Sequence, residues 1–280
     1  MSYPDYLYHY TSIETLALIL NNRTICFNNL LYVDDMEEAE TNDLGLFGKY
    51  VNISCWTETD EESIALWNMY TPDMHGVRIK MPVFPFKKYH YKTGQFHFKE
   101  DVDTYINQEK LYTENKGAII PNLPILFSVE YTDDTSLLFP TIRTSNSPDS
   151  VQQFLEAKSL ADIPKPINIS YSLRELGRYK RSVWSFQKEW RYLVFSSPMG
   201  LRDCEPFSLE KQQEIIRRLE NREQKAPYER FFLEIDNEAF MKMEILLGPK
   251  MTEAEKILVV ALLEKHGLGD RWKESALRIR

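Results

Sequence analysis

A strand that turns at once into a helix is the tightest local constraint in this chain. From Tyr6 to Tyr10 every position but His9 is apolar or aromatic, as a buried strand requires. Thr11 and Glu14 then stand in the T-x-x-E spacing of a capping box, which predicts a helix starting there. Ile13, Leu16, Ala17, Ile19 and Leu20 form its apolar stripe, and Asn21-Asn22 closes it. His9 is thereby set at a strand end, beside helix N–H groups that have no intrahelical partner. Such a junction can receive an anionic or hydroxyl-rich ligand, and a core histidine satisfied by a backbone carbonyl fits the same pattern.

At 280 residues the chain can bury a sizeable core. Its 13% aromatic content, with 16 Tyr, 15 Phe and 5 Trp, favours strands and flat apolar surfaces. A net charge of −8 argues against wholesale coating of nucleic acid, while leaving room for a local basic face. Cys26, Cys55 and Cys204 are far apart and form no C-x-x-C pair, so the expectation is no disulfide framework, no zinc site and a reducing cytoplasm. No basic segment precedes an apolar core at the N-terminus, and no apolar run approaches the ~18 residues of a membrane span.

Further along, residues 24–28 read as a strand, and Asp35 with Glu38 repeats the capping-box spacing at the start of a helix. A strand over 50–56 leads into a helix over 61–70, on which Ser63, Leu66, Trp67 and Tyr70 share one face. Another strand follows over 76–81. Residues 82–170 read as insertions within one domain spanning 1–280, with strands over 89–98 (turning at 92–94) and 126–131. A helix over 151–161 would be closed by Pro164 and Pro166. Helix is predicted over 172–187 and strand over 189–195, where Glu189, Arg191, Leu193 and Phe195 share one face. A helix over 209–222, strands over 230–235 and 243–247, a helix from Thr252 (boxed with Glu255, ended by Gly267) and a last strand over 274–279 complete an α+β pattern.

Three groups of residues can carry chemistry: His9 with Thr11; Ser54-Cys55-Trp56 with Ser63, Trp67 and Tyr70; and Tyr179-Lys180 to Trp184 with Lys188-Glu189-Trp190-Arg191. No G-x-S-x-G, P-loop, H-E-x-x-H or G-x-G-x-x-G motif occurs. Cys55 between Ser54 and Trp56 reads as core and not as a nucleophile. Taken alone, Glu189 reads as a surface partner of Lys188 or Arg191, and Trp56, Trp67 and Tyr70 read as core. Arg174, Arg178, Lys180, Arg181 and Lys188 read as a solvated helix face or as steering for an anion. Asp34, Asp35 and Glu38 admit a metal-dependent hydrolase.

Tyr8-His9-Tyr10-Thr11-Ser12, Val33-Asp34-Asp35-Met36-Glu37-Glu38, Ile53-Ser54-Cys55-Trp56-Thr57-Glu58, Leu66-Trp67-Asn68-Met69-Tyr70 with Gly76-Val77, Lys188-Glu189-Trp190-Arg191 and Ile245-Leu246-Leu247-Gly248-Pro249 together resemble a bacterial family, the domain of unknown function 2971. The match covers both ends and the middle of the chain and leaves about 82–170 aside. Met36 stands where that family has proline, which bears on the geometry of that turn. The family in turn resembles the ADP-ribosyltransferase superfamily, in its histidine–tyrosine–glutamate branch.

This resemblance implies a split, bent β-sheet sandwich with flanking helices, and NAD as substrate without a metal. It implies His9 on the adenosine ribose and Thr11 on the nicotinamide-ribose side. Trp56, Ser63 and Trp67 or Tyr70 would frame the nicotinamide. Glu189 would hold the ribose 2′-hydroxyl as the catalytic carboxylate, and Arg78 or Arg191 would balance the pyrophosphate. Cleavage of the N-glycosidic bond develops oxocarbenium character, which a carboxylate fixed near the ribose stabilises. The acceptor would be nucleic acid or protein, in a toxin or phage-defence setting. A catalytically silent module that binds a nucleotide or a protein is the alternative from another class. The enzymatic reading also makes a geometric demand: His9 and Glu189 must line one cleft with Trp56 or Tyr70 between them.

Overall fold

The structure is a computed structural model and describes residues 3–163, 168–205 and 208–279. Its centre is a nine-stranded sheet. The strands are β1 (Tyr6–Thr11), β2 (Thr24–Asn29), β3 (Val51–Thr57), β4 (Val77–Pro82), β5 (Ile119–Ser128), β6 (Glu189–Ser196), β7 (Arg230–Glu234), β8 (Glu244–Leu247) and β9 (Trp272–Glu274). Neighbours run antiparallel except β8 and β9. Four helices bear on the argument: α1 (Ile13–Asn22), α2 (Ile64–Tyr70), α3 (Leu209–Glu220) and α4 (Glu253–Lys265). The chain is α+β, with one large mixed sheet and several helices.

Strand β3 is where the sheet divides. One of its edges pairs with β6 from Glu189↔Thr57 to Phe195↔Val51. The other edge is shared: β2 takes the start, at Asn28↔Ile53 and Asn29↔Asn52, and β1 takes the end through Tyr8↔Thr57. One arm then continues to β7 and the other through β4, β8 and β9, while β5 lies outside β6. The main core covers one face, where Leu7, Trp56, Ile79, Trp190, Tyr192 and Val194 meet Leu16 and Leu20 of α1 and Val259 and Leu263 of α4. On the opposite face, Ile53 and Leu193 pack with Leu30, Phe47 and Tyr50. Tyr10 packs there with Leu66 and Trp67 of α2. Covered on both faces, β6 has only Phe195 outside the buried class, which accords with its apolar and aromatic run from Tyr192 to Phe195 and leaves Glu189 and Arg191 buried as a pair.

Several local expectations need correction. Helix α1 is capped by Ser12, whose hydroxyl accepts from the Thr15 N–H at 3.2 Å; Thr11 is still extended in β1, paired with Val77. Asp35 caps a 3-10 turn, Met36–Ala39, through the Glu37 N–H, and Glu38 is turned into the interior instead of closing a box. Residues 172–187 are not one helix. Gly177 takes φ +73, Tyr179–Lys180 pairs with Glu130–Tyr131, and Ser182–Gln187 is 3-10. Tyr89–Tyr91 pairs with Val102–Thr104, because Gln95–His97 forms a 3-10 turn where strand was expected.

The strand expected at 126–131 begins at Ile119 and ends at Ser128, which ties part of 82–170 into the main sheet. The helix expected over 151–161 is Ser150–Glu156; Pro164 and Pro166 lie outside the described residues. The last strand is Trp272–Glu274, and beyond it Leu277 and Ile279 pack onto the Tyr10–Trp67 cluster. Helix α4 carries the expected box between Thr252 and Glu255. Cys26, Cys55 and Cys204 are free. Among the described residues, no helix is long and apolar enough to cross a membrane.

Candidate active site

Because β1 and β3 share a single paired position, they part beyond it, and a cavity of about 60 Å³ opens at the fork. By strand alternation Tyr8, Tyr10, Cys55, Thr57 and Glu189 occupy the sheet face under α2, and His9 and Trp56 belong to the other face. The fork lets both sets line one opening. Its walls include His9, Cys55, Trp56, Leu66 and Tyr70 of α2, Gln187 and Glu189. His9 and Glu189 therefore line one cleft, whose walls also include Trp56 and Tyr70.

His9 Nδ1 lies 2.8 Å from the Cys55 carbonyl oxygen. A carbonyl only accepts, so Nδ1 carries the proton and Nε2 is left as an acceptor. The imidazole packs 5.1 Å from the Trp56 ring, and burial holds its pKa below the ordinary value, so it is neutral at pH 7. Burial, reinforced by Glu189, pushes the Cys55 thiol well above its usual range, so Cys55 presents no thiolate.

Glu189 belongs to a buried quartet with Glu38, Lys180 and Arg191. Arg191 Nε lies 2.6 Å from Glu189 Oε1 and Nη2 3.1 Å from Oε2. The same guanidinium binds Glu38 through both terminal nitrogens and donates to the Gly177 carbonyl at 2.8 Å. Lys180 Nζ lies 3.3 Å from Glu38 and 3.4 Å from Glu189. Two carboxylates and two cations balance. Burial opposes ionisation of Glu189, but Arg191 and Lys180 override it and hold the pKa at about 2. Arg191 is fully buried and does not line the cavity, so the carboxylate is the member of the pair that does.

A hydrogen-bonded chain links this quartet to the cavity wall. Lys180 Nζ has only donors, so Gln187 must turn Oε1 towards it (2.9 Å) and Nε2 towards the Tyr70 hydroxyl (2.6 Å). Tyr70 then donates to Asp34 Oδ2 at 2.9 Å. Burial, together with Asp34, raises the Tyr70 pKa, so the phenol keeps its proton.

The remaining predicted residues lie elsewhere. Thr11 ends β1, with its side chain buried. Ser63 caps α2 through the Leu66 N–H, and Trp67 is fully buried with its indole N–H on Glu62. Arg78 sits over the Tyr8 ring at 4.7 Å in a neighbouring groove. Arg178 and Arg181 pair with Glu130 and Glu37, so the basic run is not a free face. The acidic turn does not converge on a metal: Asp34 takes Tyr70, Asp35 caps its turn, and Glu38 is bound to Arg191 and Lys180. Among the described residues no cluster of three His, Cys, Asp or Glu is placed to hold one.

Glu38, Gln187 and the buried position of Lys180 were not legible in the sequence. Comparison with protein-family models, with characterised proteins and with solved structures found no match for this chain.

Proposed function

We propose that this chain is an ADP-ribosyltransferase-like enzyme that cleaves the nicotinamide N-glycosidic bond of NAD and passes ADP-ribose to nucleic acid or protein in the cytoplasm. The observation that carries the reading is the meeting of His9 and Glu189, 180 positions apart, at one aromatic-walled cleft. Trp56 and Tyr70 would frame the nicotinamide ring. The neutral His9 Nε2 and the ionised Glu189 both accept hydrogen bonds, which suits ribose hydroxyls. A carboxylate beside the ribose also stabilises the positive charge that develops as the bond breaks. At about 60 Å³ the cavity is well below the ~300–1,000 Å³ of ligand sites, so it would admit only part of the nicotinamide and most of NAD would lie along the sheet surface. The division of the sheet at β3 accords with a split ADP-ribosyltransferase-like sandwich.

The test is release of nicotinamide from labelled NAD, with and without nucleic acid and protein from cells, by wild type and by Glu189→Gln. Thermal melts of both verify the fold. Turnover that falls at least 100-fold in the folded variant supports the reading; no turnover by wild type with any acceptor overturns it. The engagement of both Glu189 oxygens by Arg191 and Lys180 favours a second reading, a silent module that binds NAD without cleaving it. Calorimetric binding with no nicotinamide released would establish that one.

A further inference from the structure

A second opening of about 340 Å³, within the range of ~300–1,000 Å³ that ligand sites occupy, is lined by Arg78, whose guanidinium lies over the ring of Tyr8 in the wall of the first. Strand register explains what it presents. Glu189, Thr57, Tyr8, Lys80 and Glu244 form one transverse row across five strands. Tyr10, Arg78, Leu246 and Lys273 form another. Paired residues share a face, so Arg78, Lys80 and Lys273 are carried on the same side of the sheet as Glu189. Lys80 is three strand spacings from Glu189, about 14 Å.

The groove separates its charges by depth. The Arg78 and Lys80 side chains are only 9% and 26% exposed, whereas those of Asp60 and Asp270 are 78% and 88% exposed. Arg78 and Lys80 lie at the floor beside the half-exposed Glu244, and Asp60, Asp270, Arg271 and Lys273 stand at the rim. Aromatic rings hold two of the cations: Arg78 lies over Tyr8 at 4.7 Å and Lys80 over Tyr6 at 4.5 Å. Their carboxylate partners, Asp60 and Glu244, are each as far away as 3.4 Å. Arg78 also donates to the Asp60 carbonyl, which fixes the guanidinium without neutralising it. In a chain of net charge −8, a groove whose charged lining is Arg78, Lys80, Arg271 and Lys273 against Asp60, Glu244 and Asp270 carries a local excess of positive charge that attracts anions.

We propose that this groove binds the phosphate group of a phosphate-bearing ligand through Arg78, Lys80 and Lys273. A guanidinium fixed on an aromatic face can fork onto two phosphate oxygens, and the two ammonium groups supply flexible point charges beside it. Its lining shares no residue with the His9–Glu189 cleft, so phosphate binding here is testable without NAD cleavage.

Calorimetry with three probes tests it: inorganic pyrophosphate, adenosine 5′-monophosphate and a single-stranded DNA of about ten nucleotides, each at low and high salt. Wild type binds at least one probe, more weakly at high salt. Lys80→Gln with Lys273→Gln weakens that binding at least tenfold, and His9→Ala leaves it unchanged. Lys273→Glu alone, at an exposed side chain, gives a separate loss should the double variant fold poorly. Pyrophosphate binding alone assigns an inorganic anion, monophosphate binding a nucleotide, and binding of only the strand a nucleic acid. No binding of any probe at millimolar concentration overturns the proposal. So does binding that His9→Ala abolishes and the lysine variants leave intact.

Discussion

Arg191 and Glu189 stand two positions apart on one face of β6 and clasp each other where both are buried, Nε to Oε1 at 2.6 Å and Nη2 to Oε2 at 3.1 Å. The same guanidinium holds Glu38, so one side chain bridges two buried acids and Lys180 supplies the second positive charge. Arg191→Met would leave two carboxylates facing the single ammonium of Lys180. Breaking a buried pair from one side costs about 3–5 kcal/mol. Urea denaturation should show a loss of that size. Arg191→Lys keeps the charge but not the fork, and its midpoint should fall between the two. Equal midpoints for Arg191→Met and wild type would show that the quartet contributes nothing to stability.

Stability should also fall in acid, in two windows. Glu189 has its pKa depressed from 4.5 to about 2, so its contribution is complete above about 4.5 and is lost as pH falls towards 2. His9 is depressed too, below its ordinary 6.5, so the folded state resists protonation that the unfolded chain accepts, and stability declines as pH falls below 6.5. Urea midpoints at pH 7, 5 and 3 should decrease in that order. Glu189→Gln should be less stable than wild type at pH 7 and show a flatter decline from pH 5 to 3. Parallel curves would show that the carboxyl does not titrate between those limits.

What the sequence revealed and what it hid divides along the distance over which interactions act. The β6 face pattern and the Thr252–Glu255 box depend on residues a few positions apart, and both were legible. The start of α1 was missed by one residue, since Thr11 and Ser12 are both good caps and only the ladder to Val77 keeps Thr11 extended. Glu38 has the right spacing to close a box with Asp35, but its partner Arg191 lies 153 residues on. Nothing near Glu38 signals that burial. The same holds for 172–187, where helical composition is overridden by the turn at Gly177, whose carbonyl Arg191 takes, and by burial of Lys180. His9 was singled out because a polar group in an aromatic strand is visible locally, whereas Glu189, which alone reads as a surface partner of Lys188 or Arg191, was singled out only through the family resemblance. The fork that lets them meet is a property of the sheet.

Tyr70→Phe tests the hydrogen-bonded chain between Gln187 and Asp34. Removing the hydroxyl leaves the Gln187 amide, a donor at 2.6 Å, without its acceptor, and frees Asp34, which is exposed to water. A loss of about 1–2 kcal/mol is expected from the stranded amide. The aromatic wall remains. If the ring alone frames nicotinamide, the NAD dissociation constant should change less than threefold, whereas Tyr70→Ala should weaken binding at least tenfold. Equal weakening by both variants would assign the contribution to the hydroxyl.

His9 can be separated from its own structural role. Its Nδ1–H donates to the Cys55 carbonyl, which ties the parting strands together at the fork. Nitrogen-15 NMR of the ring should therefore report the Nδ1–H tautomer at pH 7, with a titration midpoint below 6.5. An asparagine amide at this position can supply the donor of Nδ1 but not the lone pair of Nε2. His9→Asn should then keep its melting temperature near that of wild type, and His9→Ala should lose about 1–2 kcal/mol. Nicotinamide release should fall in both. If His9→Asn turns over NAD at the wild-type rate, Nε2 does not act on the substrate, and His9 serves only to hold β1 against β3.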